Sequence, residues 1–247
     1  MKNETETGLP ASIEAAWGLR QRPRKGPKPS LDLERIVAAA VKVAASEGLA
    51  AVSMSRVAAE LGSSAMSLYR YVTAKDELLE LMIDSVFDPS VAPAPEGEGW
   101  RAGMARWAWT YHDALRRHPW VLRVPISGPP VTPNQIAWLE DGLRSLGGTG
   151  LAEGEKMSVI LLVSGYVRNE ATLAADLAAA AASGAGQFMP TWSQQLVILT
   201  DAERFPALHA ALGSGVFDQD DDPDDEFVFG LERVLDGIEA LVRTRGS

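Results

Sequence analysis

The side chains with the clearest chemical potential in this sequence are cations concentrated near its beginning. Between residues 20 and 75 there are ten basic and four acidic residues, whereas the 247-residue chain carries a formal net charge of −10. Guanidinium and ammonium groups gathered in one segment are suited to contact with a polyanion such as a phosphate backbone. The charge division therefore predicts a polyanion-binding segment beside an acidic body, with chance clustering on solvated surfaces as the alternative.

The sequence has no pattern typical of an enzyme or a metal site. It contains no cysteine, which excludes disulfides, thiolate catalysis and cysteine-bound zinc. None of its three histidines, His112, His118 and His209, has a second histidine four residues away. There is no phosphate-binding glycine loop and no Gly-x-Ser-x-Gly elbow, and the acidic run at 218–226 lacks EF-hand spacing. We therefore predict no enzymatic activity, no metal and no cofactor.

Apolar spacing predicts an all-α fold that would present the basic segment on short helices. Residues 1–30 lack apolar periodicity and contain four prolines, which favours a disordered basic arm. A small helical domain over 31–87, beginning near Ser30, and a larger helical domain over 100–247 follow the arm. A stretch rich in Pro, Gly and Glu separates the two domains and is expected to act as a hinge.

Two short helices in the small domain are predicted to meet at a glycine. Ser53 is a suitable N-cap for the first of these helices, and Gly62 follows its last apolar residue. The second helix is expected to run from about Ser64 to Tyr71. A tight turn followed by a short helix is the geometry of a helix-turn-helix, whose second helix can lie in the major groove of DNA.

The residues themselves resemble a known DNA-binding module. Residues 52–79 read VSMSRVAAELGSSAMSLYRYVTAKDELL, which combines a hydroxyl cap, an alanine-centred helix, Leu-Gly, Leu-Tyr-x-Tyr-Val and Lys-x-x-Leu-Leu. With this run, residues 31–87 resemble the helix-turn-helix domain of the TetR family of transcriptional regulators. Residues 100–247 resemble the family's ligand-binding and dimerisation domain in helix order and length. The resemblance implies a homodimeric repressor that binds double-stranded operator DNA and is released by a small-molecule effector.

The resemblance assigns DNA contacts to the residues around the helix-turn-helix. Arg70 is long enough for bidentate contact with guanine, and the Tyr69 hydroxyl is suited to a phosphate. Tyr71 could equally pack against the first helix, Arg56 could pair with Glu60, and the basic arm could reach the minor groove or serve only as a solubilising tail. The full predicted set is Ser55, Arg56, Ala65, Met66, Ser67, Tyr69, Arg70, Tyr71 and Lys75.

The acidic body contains most of the seven tryptophans, and its aromatic residues at helical spacing could line a pocket for a flat aromatic or lipophilic ligand. The alternative is an ordinary aromatic core. His112 and Asn169 are the candidate polar handles of the pocket. The full predicted ligand-binding set is Met104, Trp107, Tyr111, His112, Trp120, Trp138, Tyr166, Asn169, Phe188, Met189 and Trp192.

The resemblance also implies a dimer interface of four helices, two from each protomer. The long helix around Met157–Ala178 and the last helix, Phe227–Val242, are the candidates. Gly165 within the long helix marks either a close helix approach or a pocket floor. A dimer is required because two recognition helices must reach successive major grooves, ~34–36 Å apart.

The sequence gives no indication of a membrane protein. Residues 1–8 lack the apolar core of a signal peptide, and no stretch approaches the ~20 apolar residues that span a bilayer. We therefore expect a cytoplasmic protein with no membrane partner. The residues leave open whether the regulator represses or activates transcription, and whether it responds to a small molecule or to a protein partner.

Overall fold

A computed structural model describes residues 8–19, 31–87, 95, 97–126, 128–184, 191–218, 222 and 224–245. Within these ranges the regular structure is entirely helical, which confirms the predicted all-α fold. The α-helices are α1 (Ala11–Ala16), α2 (Leu33–Glu47), α3 (Met54–Glu60), α4 (Ala65–Leu68), α5 (Lys75–Asp84), α6 (Trp100–Arg117), α7 (Pro133–Ser145), α8 (Glu153–Ala182), α9 (Trp192–Leu199), α10 (Pro206–Gly213) and α11 (Asp225–Arg245).

Helices α2 to α5 form the small domain around one apolar core. Ile36 on α2, Val57 on α3 and Leu68 on α4 are fully buried in it. The N-cap of α2 is Asp32, whose side chain accepts a hydrogen bond from the backbone N–H of Arg35 at 2.8 Å. The helix therefore begins slightly later than the sequence suggested, and Ser30 lies outside the described residues.

The turn between α3 and α4 has the predicted helix-turn-helix form. The Ser53 hydroxyl caps α3 by accepting from the N–H of Arg56, and Gly62 adopts a φ of 61°, where a side chain would be strained. α4 is shorter than the predicted 64–71 helix. The chain tightens after Leu68, because the N–H of Tyr71 donates to the Leu68 carbonyl, three residues back, at 2.8 Å.

α1 is a helix that the sequence analysis did not predict, since residues 1–30 were expected to form a disordered arm. Ile13 is buried, and the indole N–H of Trp17 donates to the carbonyl of Val131 at 2.8 Å. The two side chains are four residues apart and therefore share one side of the chain. The prolines suggested disorder, but the burial of Ile13 and the hydrogen bond from Trp17 to Val131 hold α1 in place. The basic residues of the expected arm, at 20–30, lie outside the described residues.

The larger domain is built around α6, which packs against α7, α8 and α11. Met104 and Trp107 on α6 and Phe227 on α11 are fully buried there. α9, α10 and a 3-10 turn at Val216–Asp218 pack on one another between α8 and α11 in the chain. None of the helices in the described ranges is both long and apolar enough to cross a membrane.

Candidate functional site

The surface around α4 exposes most of the predicted DNA contacts. Met66 is 78% exposed and Tyr69 is 46% exposed, although Leu68 between them is fully buried. Alternation of this kind follows from the helical turn, which directs Leu68 inward and its neighbours outward. Ser55 on α3, Arg70 and Lys75 are exposed as well, whereas Ala65 and Ser67 are half-buried. The helix-turn-helix therefore brings a mixed polar, apolar and cationic set onto one exposed segment.

Arg56 differs from these residues because carboxylates of its own domain surround its guanidinium. Its Nη2 lies 2.5 Å from an oxygen of Glu47 and 3.0 Å from one of Glu60, and Lys42 also contacts Glu60 at 2.7 Å. The hydrogen bonds that the Arg56 guanidinium donates to Glu47 and Glu60 raise its pKa. Those from Lys42 and Arg56 lower the pKa of Glu60. The pairing with Glu60 that the sequence left open is present, and Glu47 is an additional partner on α2.

The hydroxyl of Tyr71 is used within the small domain. It donates to the carbonyl of Leu31, just before α2, at 2.8 Å, and its ring is half-buried. This contact corresponds to the packing alternative for Tyr71. Ser67 is also engaged locally, since its hydroxyl lies 2.9 Å from that of Ser64, the N-cap of α4. The hydroxyls of Tyr71 and Ser67 therefore both help to stabilise α4 within the small domain.

A first aromatic group in the body, here called the junction cluster, consists of Phe87, Trp107, Tyr111 and Trp138. Trp107 and Trp138 are stacked with ring centroids 4.0 Å apart, and Tyr111 lies 4.9 Å from Trp138. Phe87 lies 5.2 Å from Trp138. Because Phe87 lies three residues after the end of α5, the cluster joins the small domain to α6 and α7. Phe87 was not among the residues that the sequence predicted to bind a ligand.

A second group, the inner cluster, consists of Trp109, His112, Tyr166 and Phe227. The His112 ring stacks on Phe227 with centroids 4.0 Å apart, and Trp109 meets the same ring edge-on at 4.6 Å. His112 Nε2 lies 2.9 Å from a carboxylate oxygen of Glu170. The Tyr166 hydroxyl donates to the backbone carbonyl of Phe227 at 2.9 Å. The predicted ligand residues are therefore divided between two clusters on different sides of α6.

The other predicted ligand residues lie in several places. Met104 and Trp120 are buried in the body, in agreement with a core or pocket position. Asn169 is exposed on α8, and Trp192 is 61% exposed on α9, where it contacts Phe217. Neither side chain is part of the two clusters, contrary to the expectation that both would line one pocket. Phe188 and Met189 lie outside the described residues.

Three ring nitrogens in the body are buried without a hydrogen-bond partner among the described residues: Trp120 Nε1, Trp138 Nε1 and His112 Nδ1. The two indole nitrogens can only donate, so each would gain from an acceptor brought by a bound molecule.

Burial raises the pKa of the Tyr111 hydroxyl, and the nearby Arg168 guanidinium offsets part of this rise. In the described part of the chain, no group of three or more His, Asp or Glu side chains is arranged to hold a metal.

Both parts of the chain match profiles of one protein family. Residues 36–82 match the family described as "Bacterial regulatory proteins, tetR family", and residues 92–242 match "Tetracyclin repressor-like, C-terminal domain". The chain belongs to the TetR family. The resemblance is thus confirmed both for the helix-turn-helix segment and for the body. The HTH-type transcriptional repressor DrrR1 of Streptomyces coeruleorubidus is 41% identical, over 95% of this chain and 87% of the relative.

Solved structures of TetR proteins have the same architecture. Apo ActR from Streptomyces coelicolor superposes with a TM-score of 0.73 at 29% identity, covering 88% of this chain and 99% of ActR. ActR in complex with actinorhodin superposes with a TM-score of 0.70 at 28% identity, covering the same fractions of the two chains. The family and its relatives are transcriptional regulators, which confirms the prediction of a DNA-binding regulator rather than an enzyme.

We expect Tyr71→Phe to lower the free energy of unfolding by about 1 kcal/mol, because the Leu31 carbonyl loses its donor. Chemical denaturation measures this change. Tyr69→Phe, at a more exposed ring, is the matched control and should leave stability unchanged. DNA affinity measured below the unfolding transition should be nearly unaltered in Tyr71→Phe. A large loss of affinity in a fully stable Tyr71→Phe protein would instead assign this hydroxyl to the DNA.

Proposed function

We propose that the protein is a homodimeric repressor, released from its operator by a flat aromatic ligand that binds in the body beside α6. The observation that carries the proposal is the exposed face of α3 and α4, in a domain of the TetR family. An activator would use the same face, since repression depends on where the operator lies relative to the promoter. Response to a protein partner in place of a small ligand is the second candidate.

The DNA-reading role is supported by the side chains that α4 leaves exposed. Arg70 has the reach and the paired donors for guanine, and Met66 offers an apolar contact to a thymine methyl. Tyr69 and Lys75 are suited to phosphates, which fix the position of the protein without reading sequence. Ser55, at the start of α3, completes the set. Arg56 has a smaller share in this proposal, because Glu47 and Glu60 already neutralise it.

The dimer is supported by α8, which is aliphatic on both sides. Its inner side buries Val159, Val163 and Val167 against the body. A helix with apolar residues all round requires cover on its second side as well. Gly165 is exposed on that side, and a Cβ placed there meets no atom within 4 Å, so a second helix could approach closely. The exposed apolar residues of α8 are Met157, Leu161, Leu162, Leu173 and Leu177.

The ligand proposal combines ring stacking with the unpartnered donors. A flat ligand could replace Trp107 or Tyr111 against Trp138, and one of its oxygen atoms could accept from the Trp138 indole N–H. ActR, with the same fold, binds actinorhodin. A ligand that shifts Trp138 as it stacks on this ring would also move Phe87, which contacts Trp138 and lies three residues after α5. A ligand at this place would therefore act on the small domain through a short path.

Variants of the reading face should separate positioning contacts from sequence-reading contacts. We expect Tyr69→Ala and Lys75→Ala to weaken binding by similar factors on operator and unrelated duplexes. Arg70→Ala should cost about 1–3 kcal/mol on the operator and much less elsewhere. Fluorescence anisotropy at fixed salt measures both affinities. Arg144→Ala, an exposed arginine on α7, is the control and should bind normally; a sequence-selective loss in Tyr69→Ala would refute its assignment to phosphate.

The double variant Leu161→Glu/Leu173→Glu should be monomeric, because two carboxylates per chain would face the partner helix without counter-charges. Sedimentation or light scattering gives the mass. Ile126→Glu introduces one such carboxylate at a comparably exposed apolar residue outside α8 and should remain dimeric. Should the double variant keep the wild-type mass, the dimer interface is not formed by this side of α8.

A wild-type protein that is monomeric, and that does not shift its own upstream DNA in a gel-shift assay, would refute the proposed function.

Planar aromatic antibiotics, including actinorhodin, provide the test of ligand release. A ligand at one hundred times its Kd should stabilise the protein by about 2.7 kcal/mol in a thermal-shift assay and release bound DNA. Tyr111→Phe, in the junction cluster, should reduce this shift, whereas Trp192→Ala, at an exposed ring outside both clusters, should not. If no compound in a broad panel raises the Tm or releases the DNA, a protein partner is favoured as the effector.

A further inference from the structure

Asp84, the last residue of α5, is a charged side chain that is only 6% exposed. Its Oδ1 accepts two hydrogen bonds from backbone N–H groups across the domain boundary, from Asn134 at 2.9 Å and from Gln135 at 3.0 Å. The Asn134 side chain returns a bond from Nδ2 to the backbone carbonyl of Asp84 at 3.2 Å. Three hydrogen bonds thus connect the end of α5 with the start of α7.

The two amides belong to the first turn of α7, where backbone N–H groups have no partner within the helix. An N-cap side chain normally accepts from them, but the N-cap residue, Thr132, makes no such bond. Its hydroxyl instead accepts from Nε2 of Gln135 at 2.7 Å. The small domain therefore supplies the cap that α7 lacks, and the carboxylate is favoured there by the helix dipole.

Two further contacts connect the region around the start of α7 with other parts of the chain. Trp17, following α1, donates to Val131, the residue before Thr132. Phe87, three residues after Asp84, contacts Trp138 on the next turn of α7. A rotation of the small domain about the end of α5 would separate Asp84 from its amides, leaving a carboxylate and two N–H groups buried without partners.

We propose that Asp84 fixes the angle of the small domain on the body, and thereby the half-site spacing that the dimer accepts. It contacts no DNA in this assignment and is a positioning residue. The inference rests on the proposed dimeric DNA-binding function. Two amides on one carboxylate oxygen define a direction as well as a distance, so this contact limits how far each α4 can swing from its preferred separation.

The experiment uses the full-length protein and a duplex that the wild type selects from a random pool. The separation of the two half-sites in that duplex is then changed by one or two base pairs in either direction. We expect the wild type to lose affinity steeply with each change. In Asp84→Ala the loss should be about five- to tenfold smaller, because the loosened domains adapt to the altered separation.

Two further variants make the result specific. Asp76→Ala removes an exposed carboxylate from the same helix and should retain the wild-type spacing profile. Asp84→Glu keeps the charge but places it one methylene farther out, and it should also relax or shift the profile. It serves as the test if Asp84→Ala does not fold.

A purely structural role would lower affinity on every duplex by one factor and leave the spacing profile unchanged. That outcome in Asp84→Ala, or in Asp84→Glu if the alanine variant is unfolded, overturns the inference while leaving the proposed function intact. If the wild type selects no duplex at all, the proposed function fails and the inference fails with it.

Discussion

The burial of Leu68 is the contact on which the reading face depends. α4 has four residues, too few for a helix to be stable in water by itself, so its shape must come from tertiary packing. Leu68, the last residue of α4, supplies that packing, while the turn at Gly62 and the hydroxyl of Ser64 fix where the helix begins. Met66, Tyr69 and Arg70 are consequently exposed, and their side chains are available for contact with another molecule.

The body depends in a similar way on α6, which is aromatic on two sides. On one side Trp107 and Tyr111 meet Trp138 and Phe87, and on the other His112 meets Phe227. Only the first side leads to the small domain, through the chain that follows α5. A molecule that rearranges the junction cluster therefore has a direct mechanical route to the DNA-binding helices, whereas one in the inner cluster would have to act through α6 itself.

Local features of this fold could be predicted from sequence, and long-range ones could not. Ser53 and Gly62 act on amides within a few residues of themselves, so their roles in bounding α3 were readable from the chain alone. Helical periodicity likewise predicted the long helix around Met157–Ala178, which lies within α8. The role of Asp84 depends on amides fifty residues away, and α1 is held by the carbonyl of Val131. Apolar spacing also could not tell which side of α8 Asn169 would occupy, because both sides of that helix are rich in aliphatic residues.

The two-sided character of α8 has a further consequence for how the chain behaves at low abundance. Its outward leucines are a surface that favours association, so an isolated subunit would be the more aggregation-prone form. If a second copy covers this surface, the resistance of each subunit to heat rises with its own concentration by mass action. The rate of synthesis would then determine the amount of the protein and, through its concentration, also how long it stays folded.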